Sequence, residues 1–359
     1  MSSLNLQGIY IHWPYCRTKC PYCDFFSLPG GCPDEKIILN GYQRDIQRVH
    51  VSSPFTSIFI GGGTPSLMSK HLLEDVFKLL HTHFKFTPDV EITIEANPNA
   101  LDLDKMHFLK SVGVNRLSLG VQALNDTDLT FLGRTHTVKG ALDCLEQASG
   151  IFSNINMDLI YARPRQTLKA WEEELKRALT WGLPHYSLYQ LTLEEGTPFY
   201  QKRLKLPKEN TTKRLYQLTN TLMAEAGRPA YEISNYAVPG KECRHNLTYW
   251  DYRPYFGIGP AAQSRWRGKA IQNPKDIAKW LKGERLIETL TPYQKKLEKI
   301  LMESRLFHKG LSLSLLDPNG VKQALDYKWG QIKNRRFYVT DAGHLVLNQV
   351  VLAVCPEDK

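Results

Sequence analysis

The sequence predicts an α/β protein in which six β-then-α units wind a parallel sheet into a partial, open barrel, followed by a small winged-helix-like α+β appendage. Three observations predict it. Short apolar or β-branched runs alternate with amphipathic stretches. Polar or glycine-rich residues cluster just after those runs. The pattern changes character beyond residue 290. Crossovers between parallel strands return right-handed over one face, so six such units in series place their helices outside the sheet.

Strands are read at 8–14 (GIYIHWP), 57–63 (SIFIGGG), 91–98 (EITIEANP), 116–122 (RLSLGVQ), 154–161 (NINMDLIY) and 185–193 (HYSLYQLTL). Amphipathic helices are read around 34–50, 67–84, 102–112, 137–149, 167–182 and 208–226. The polar positions 61–64, 95–98, 122 and 158 fall at strand C-termini, where parallel α/β folds build their sites. Beyond 290 come a helix (292–305), the apolar piece GLSLSLL, a second helix (318–329) and a hairpin FYVT-DAG-HLVL. The division is therefore a barrel core over 1–240, a connecting segment over 241–290 and a basic helical and hairpin unit over 291–359.

The 359 residues are 42% hydrophobic and 23% charged, which excludes collagen-like, mucin-like and wholly disordered chains. The apolar run from Leu345 to Val354 is broken by Asn348 and Gln349 and is shorter than the roughly 18 residues of a membrane span. The first residues, MSSLNLQGIYIHWP, carry neither a basic leader nor an apolar core, so a cytosolic location is expected. The net charge of +10 is uneven, since residues 241–359 alone carry +9. Such a region could face an anionic ligand, anionic lipid or nucleic acid, or simply water. Lys333, Arg335 and Arg336 before the hairpin suggest the nucleic-acid reading, which is the minor one, and no nucleic-acid partner is expected.

Of seven cysteines, Cys16, Cys20 and Cys23 fall within eight residues, directly after the first strand. In a reducing compartment this clustering points to metal rather than disulfides. Structural zinc normally takes four ligands in paired spacing, and no second pair follows, so the spacing favours an iron–sulfur cluster while leaving zinc open. Cys32 could be a fourth ligand. Without it, one iron of a [4Fe-4S] cube is left for a small molecule with an amine and a carboxylate. The glycines of GGGTPS, Gly61 to Gly63, let backbone donors approach such a group closely. No GK[ST] follows to make a phosphate loop, and the glycine spacing is not that of a dinucleotide fingerprint.

CxxxCxxC after a first strand, followed by GGGTPS, resembles the radical S-adenosylmethionine (SAM) superfamily, in which the open iron binds SAM and one electron cleaves it to a 5′-deoxyadenosyl radical. IHWPYCRTKCPYCDFFS, FIGGGTPS, IEANPN, NRLSLGVQ, LGRTH, NMDLIY and YQLTLEEGTPF follow in the order found in the oxygen-independent coproporphyrinogen III oxidase group, over roughly residues 8–265. The dehydrogenases of that group carry a fourth cysteine where this chain has Phe25. With Phe25 and the block His245-Asn-Leu-Thr-Tyr249-Trp250, the chain resembles the haem-chaperone branch.

The resemblance implies cluster ligation by Cys16, Cys20 and Cys23. It implies SAM contacts at Tyr10, Tyr22, Gly62, Gly63, Thr64, Glu95, Gln122, Arg134 and Asp158. It implies haem contacts at His245, as axial ligand, and at Asn246, Tyr249 and Trp250. Haem is then the cargo, passed to acceptor haemoproteins at the membrane, with an electron donor for the cluster and a peripheral membrane position. Arg244, Arg253, Arg265 and Arg267 are the nearby cations for its propionates. Two departures stand out: DLIYGLPGQT becomes a segment with Ala162, Arg163 and Arg165, and the histidine of GIGxGAH becomes Gln263; both are expected near the cavity. The alternative function is oxidative decarboxylation of coproporphyrinogen III, with Arg163 and Arg165 as substrate clamps.

Overall fold

The computed structural model describes residues 7–357. The first half of the chain runs β1 (Gly8–Trp13), β2 (Tyr15–Cys16), β3 (Leu28–Pro29), α1 (Glu35–Gln47), β4 (Phe55–Gly62), α2 (Lys70–His83), β5 (Phe86–Ala96), α3 (Leu103–Ser111), β6 (Arg116–Gln122), α4 (Asp126–Phe131), α5 (Val138–Ser149) and β7 (Ile155–Tyr161). It continues with α6 (Leu168–Leu179), β8 (His185–Gln190), α7 (Pro198–Gln201), α8 (Glu209–Glu225), β9 (Asn235–Ala237), α9 (Arg244–Trp250), β10 (Tyr255–Ile258), β11 (Gln263–Trp266), β12 (Lys269–Gln272), α10 (Ile277–Leu281) and β13 (Leu286–Thr289).

β1, β4, β5, β6, β7 and β8 lie side by side and parallel, the six strands read from the sequence. The structure adds the short α4 between β6 and α5. β9 runs antiparallel along β8, while β10 pairs parallel with the free edge of β1 and continues into the antiparallel run β11, β12, β13. One mixed sheet of 11 strands results, and the stretch over 241–290 belongs to it.

Strand alternation decides what faces where. Ile9, Ile11, Ile58, Ile60, Ile92, Ile94, Leu117, Leu119, Ile155 and Met157 pack in one buried cluster with helix residues such as Leu73, Val76, Leu145, Trp171 and Leu175. Each such side chain contributes about 1.5–3 kcal/mol on burial. The residues between them, including Tyr10, Phe59, Glu95, Ser118, Asp158 and Ser187, project from the opposite face and line a cavity. The helices start where caps exist: Ser69, Asp102, Thr137 and Thr167 accept hydrogen bonds from the first turns of α2, α3, α5 and α6.

The last part contains α11 (Pro292–Glu303), β14 (Leu311–Ser312), α12 (Pro318–Asp326), β15 (Gly330–Lys333), β16 (Arg336–Val339), α13 (Asp341–His344) and α14 (Leu347–Val354). Its three-stranded sheet has the order β14-β16-β15, and it buries its own core of Ile300, Leu311, Val321, Phe337, Val350 and Val354. The hairpin expected at FYVT-DAG-HLVL does not form. FYV belongs to the second strand of an earlier hairpin, whose turn, Asn334-Arg335, has φ of 49° and 59°, the left-handed pair that two-residue turns require. The following Thr340 is a helix cap whose Oγ1 accepts from the Gly343 amide at 3.2 Å, so the residues read as a turn begin α13.

Among the described residues no helix is long and apolar enough to cross a membrane. The reading of the N-terminus rests partly on residues 1–6, which lie outside the described residues.

Candidate functional site

The cavity has a volume of about 570 Å³. Its rim lies at the C-terminal ends of the parallel strands, and its floor is closed by α9. At the rim, pairing of Tyr15 with Leu28 pins both ends of the loop that carries Cys16, Cys20 and Cys23. His12, held in its neutral form by burial with its pKa lowered to about 4, ties that loop to β1 through Nε2 and the Phe26 carbonyl at 2.8 Å.

All three thiols are free and line the cavity. Thr64 Oγ1 donates to Cys16 Sγ at 3.5 Å, Arg134 donates to Cys20 Sγ at 3.4 Å, and burial pushes the Cys23 thiol up to about 11. Among the described residues no three His, Cys, Asp or Glu side chains stand at the spacing of a single metal ion. Zinc, with Zn–S near ~2.3 Å, draws its sulfurs to within about 4 Å of one another. In a cube each of three thiols facing one cavity takes its own iron, and no fourth ligand is required. Cys32 lies near Tyr15 and does not line the cavity, so three cysteines face it, not four. The residues fit a cluster with one open corner.

Below the rim, the end of β4 runs tight against this loop. Gly62 has φ of 109°, and a Cβ on Gly63 would stand 2.5 Å from the Tyr15 carbonyl oxygen, so side chains are excluded there. The Gly62 amide donates to Glu95 Oε2 at 3.3 Å. Asn97 joins Thr64 to Arg134, whose guanidinium also donates to the Gly120 carbonyl at 3.0 Å. Gln122, at φ of 73°, sits at an irregularity in the β6–β7 register. Burial first, and then the charge of Asp158, raise the Glu95 carboxyl to about 8. Burial raises Asp158 to about 6, opposed by hydrogen bonds from Asn156, Ser187 and Ser118 and by the Arg116 charge. Two such carboxyls can accept from hydroxyls or face an ammonium group.

The floor is built from α9. Its N-cap, Cys243, offers the helix no accepting side-chain oxygen, and Glu91 of β5 takes the role: Oε1 accepts from the His245 amide and Oε2 from the Arg244 amide, both at 3.2 Å. His245 is buried with both ring nitrogens engaged, Nδ1 by Ser57 Oγ at 2.9 Å and Nε2 by the Tyr249 hydroxyl at 2.8 Å. Burial, and next the Arg116 charge, lower its pKa to about 3, so it is a neutral imidazole. Gly8 makes the room, since a Cβ there would stand 2.9 Å from His245 Nδ1.

Of the residues singled out from the sequence, the three cysteines, all nine SAM candidates and His245, Asn246 and Tyr249 line this one cavity. Trp250 does not; it lies under the Arg305 guanidinium, 4.5 Å from the ring centroid. Nor do the cations nearby in sequence: Arg244 pairs with Asp89, Arg253 with Asp251 and Arg265 with Glu298, while Arg267 lies over Trp266. The two departures also lie off the cavity. Arg163 is buried against Glu174 and Asp128, tying β7 to α6 and α4, Arg165 is exposed beside it, and Gln263 is exposed on β11. Asn97, within the polar stretch 95–98, lines the cavity too, and the sequence reading passed over Arg116, Ser118, Asn156, Ser187 and Tyr189, which also line it. Arg116, Ser118 and Asn156 share a strand face with Gln122 or Asp158, a positional signal, whereas Ser187 and Tyr189 lie on β8, which carried no chosen residue.

A curved parallel sheet with three thiols at the mouth defines a class, and the comparisons agree. Residues 10–178 match the family described as Radical SAM superfamily. The chain is 36% identical over 291 residues to the "Heme chaperone HemW" of Buchnera aphidicola subsp. Schizaphis graminum, covering 80% of this chain and 76% of that protein. It is 33% identical to the Haemophilus influenzae protein of the same name, with 98% of each chain covered. In structure it resembles the Escherichia coli coproporphyrinogen III oxidase HemN, described as a radical SAM enzyme, with a TM-score of 0.82 at 21% identity, over 97% of this chain and 90% of that one. The chain belongs to the radical SAM superfamily and, within it, to the family of proteins named heme chaperone HemW.

Proposed function

We propose that this protein is a cytoplasmic haem chaperone that carries a SAM-liganded [4Fe-4S] cluster, binds haem and passes it to acceptor haemoproteins, some of them at the membrane. One observation carries the reading: a single cavity has three thiols at its rim and a buried, neutral histidine at its floor. The relatives named as heme chaperones support it. Cys16, Cys20 and Cys23 would hold the cluster, with the Gly62–Thr64 edge, Glu95, Gln122, Arg134 and Asp158 around SAM and Tyr10 and Tyr22 beside them. When bound, the cluster supplies a site for the SAM amine and carboxylate and a one-electron couple fed by an external donor.

His245 suits iron ligation because only the unprotonated imidazole has a free lone pair. Its Nε2 partner, Tyr249, lines the cavity, so that hydrogen bond is the one to yield to iron. Ser57 would keep Nδ1 and the ring orientation. Asn246 and Tyr249 would contact the porphyrin.

The decarboxylase reading finds less support. Phe25 replaces the fourth cysteine and is 62% exposed at the cavity mouth, and Arg163 and Arg165 lie elsewhere. The test is an anaerobic haem titration of the cluster-reconstituted protein, followed at the Soret band, beside His245→Ala. Saturable binding with a shifted band, weakened at least tenfold or about 1.4 kcal/mol in the variant, is expected. No haem uptake, together with conversion of coproporphyrinogen III under reducing conditions, would reverse the choice.

A further inference from the structure

Arg116 opens β6 and reaches into the cavity from below. It is 2% exposed, its Nε is enclosed without a partner, and among the described residues no carboxylate stands at ion-pair distance from it, Glu91 and Asp158 acting only through their charge from further away. The two nearby carboxylates are committed elsewhere. Glu91 receives the first amides of α9, and Asp158 accepts from Asn156 at 2.7 Å and Ser118 at 3.3 Å. A buried guanidinium with no hydrogen-bonding anion is among the most costly arrangements in a folded chain. A ligand that brings the anion removes the cost, and a planar guanidinium matches a carboxylate through two parallel hydrogen bonds.

This is not the rim's anion site. Arg116 and Gln122 are six residues apart along β6, about 20 Å at ~3.3 Å per residue. At the rim Arg134 is already engaged by Cys20, Asn97 and Gly120. Arg116 instead shares the floor with His245, whose imidazole feels its charge. The cations closer in sequence to His245 are paired on the outside of the fold or turned away from the cavity.

We infer that Arg116 is the carboxylate anchor of the cavity floor and binds a haem propionate beside His245, an assignment that rests on the haem reading above. The full-length reconstituted protein is titrated with haem and with haem dimethyl ester, whose carboxylates are masked, beside Arg116→Gln and Arg116→Lys. The wild type prefers haem to the ester by about tenfold, the weight of one charge-assisted pair. R116Q binds both ligands alike with an unmoved Soret maximum, because the axial ligand is intact, and R116K retains part of the preference. Thermal unfolding separates a structural role: removing an unpaired buried cation leaves the ligand-free protein at least as stable.

Wild type that takes up neither porphyrin overturns the haem reading and this assignment with it. Equal binding of haem and ester by wild type, or a preference that survives in R116Q, overturns the Arg116 assignment alone. The wild-type comparison decides even where a variant does not fold.

Discussion

Single residues show where the chain carries strain. Ala162 and Arg165 replace two glycines of the related motif, and both are left-handed, with φ of 58° and 64°. A side chain there costs about 1–2 kcal/mol. Arg165 is exposed and has no packing to lose, so Arg165→Gly should raise the melting temperature of the ligand-free protein by about 1–3 °C; a fall would assign the arginine a role its geometry does not suggest. Glu95 is strained electrostatically. Its carboxyl is raised to about 8 in the fold from the 4.5 of a freely solvated glutamate, so between those pH values the folded state holds more protons than the unfolded one. Stability from this group therefore falls as pH rises through that window and is flat above it. Glu95→Gln should remove the slope, raise the melting temperature at pH 8 by about 2–6 °C, and weaken SAM binding. An unchanged pH profile of unfolding would show that the carboxyl is ionised in the fold.

At the scale of elements, α9 decides whether His245 is in place. Glu91→Gln keeps the size but removes the charge at the helix N-terminus and turns an amide donor toward backbone N–H groups, a cost of about 1–2 kcal/mol. Haem affinity should drop in the same variant although Glu91 does not line the cavity, with faster amide exchange over 244–250; normal exchange there would separate the cap from the site. The six strands and most of their helices were legible because each buries one apolar face, and burial writes period 2 or 3.6 into the sequence. α4, six residues long, is too short to write a period, and Asp-Ala-Gly has a turn's composition although Thr340 caps it as the start of α13. The rim was legible because its residues sit in contiguous motifs at strand ends. The floor was not: Arg116, Asn156 and Ser187 come one from each strand, and their convergence is a property of register.

Across the whole molecule, several cations of the basic C-terminal third are spent on ion pairs inside the fold. Arg305 stacks on Trp250 and faces Glu232, Tyr252 and Arg265 both bond Glu298 of α11, and the Phe307 amide donates to the Tyr231 carbonyl at 3.2 Å. Tyr231 in turn bonds Asn246 and His185, inside the barrel. Contacts thus run from the appendage to the floor of the cavity, and Trp250, chosen from the sequence as a haem contact, is one of them. Lys309 holds the join, with Nζ 2.6 Å from Asp251 just after α9 and 2.9 Å from the buried Glu303. Lys309→Met leaves the Glu303 carboxylate enclosed without its cation, at a cost of about 1–3 kcal/mol. If the appendage steadies the floor, amide exchange in the variant speeds up over 244–252 and haem binds more weakly, while β4 to β7 keep their protection. Were exchange to speed up only beyond residue 291, with haem binding unaltered, the appendage would be a separate unit and the floor would stand on the barrel alone.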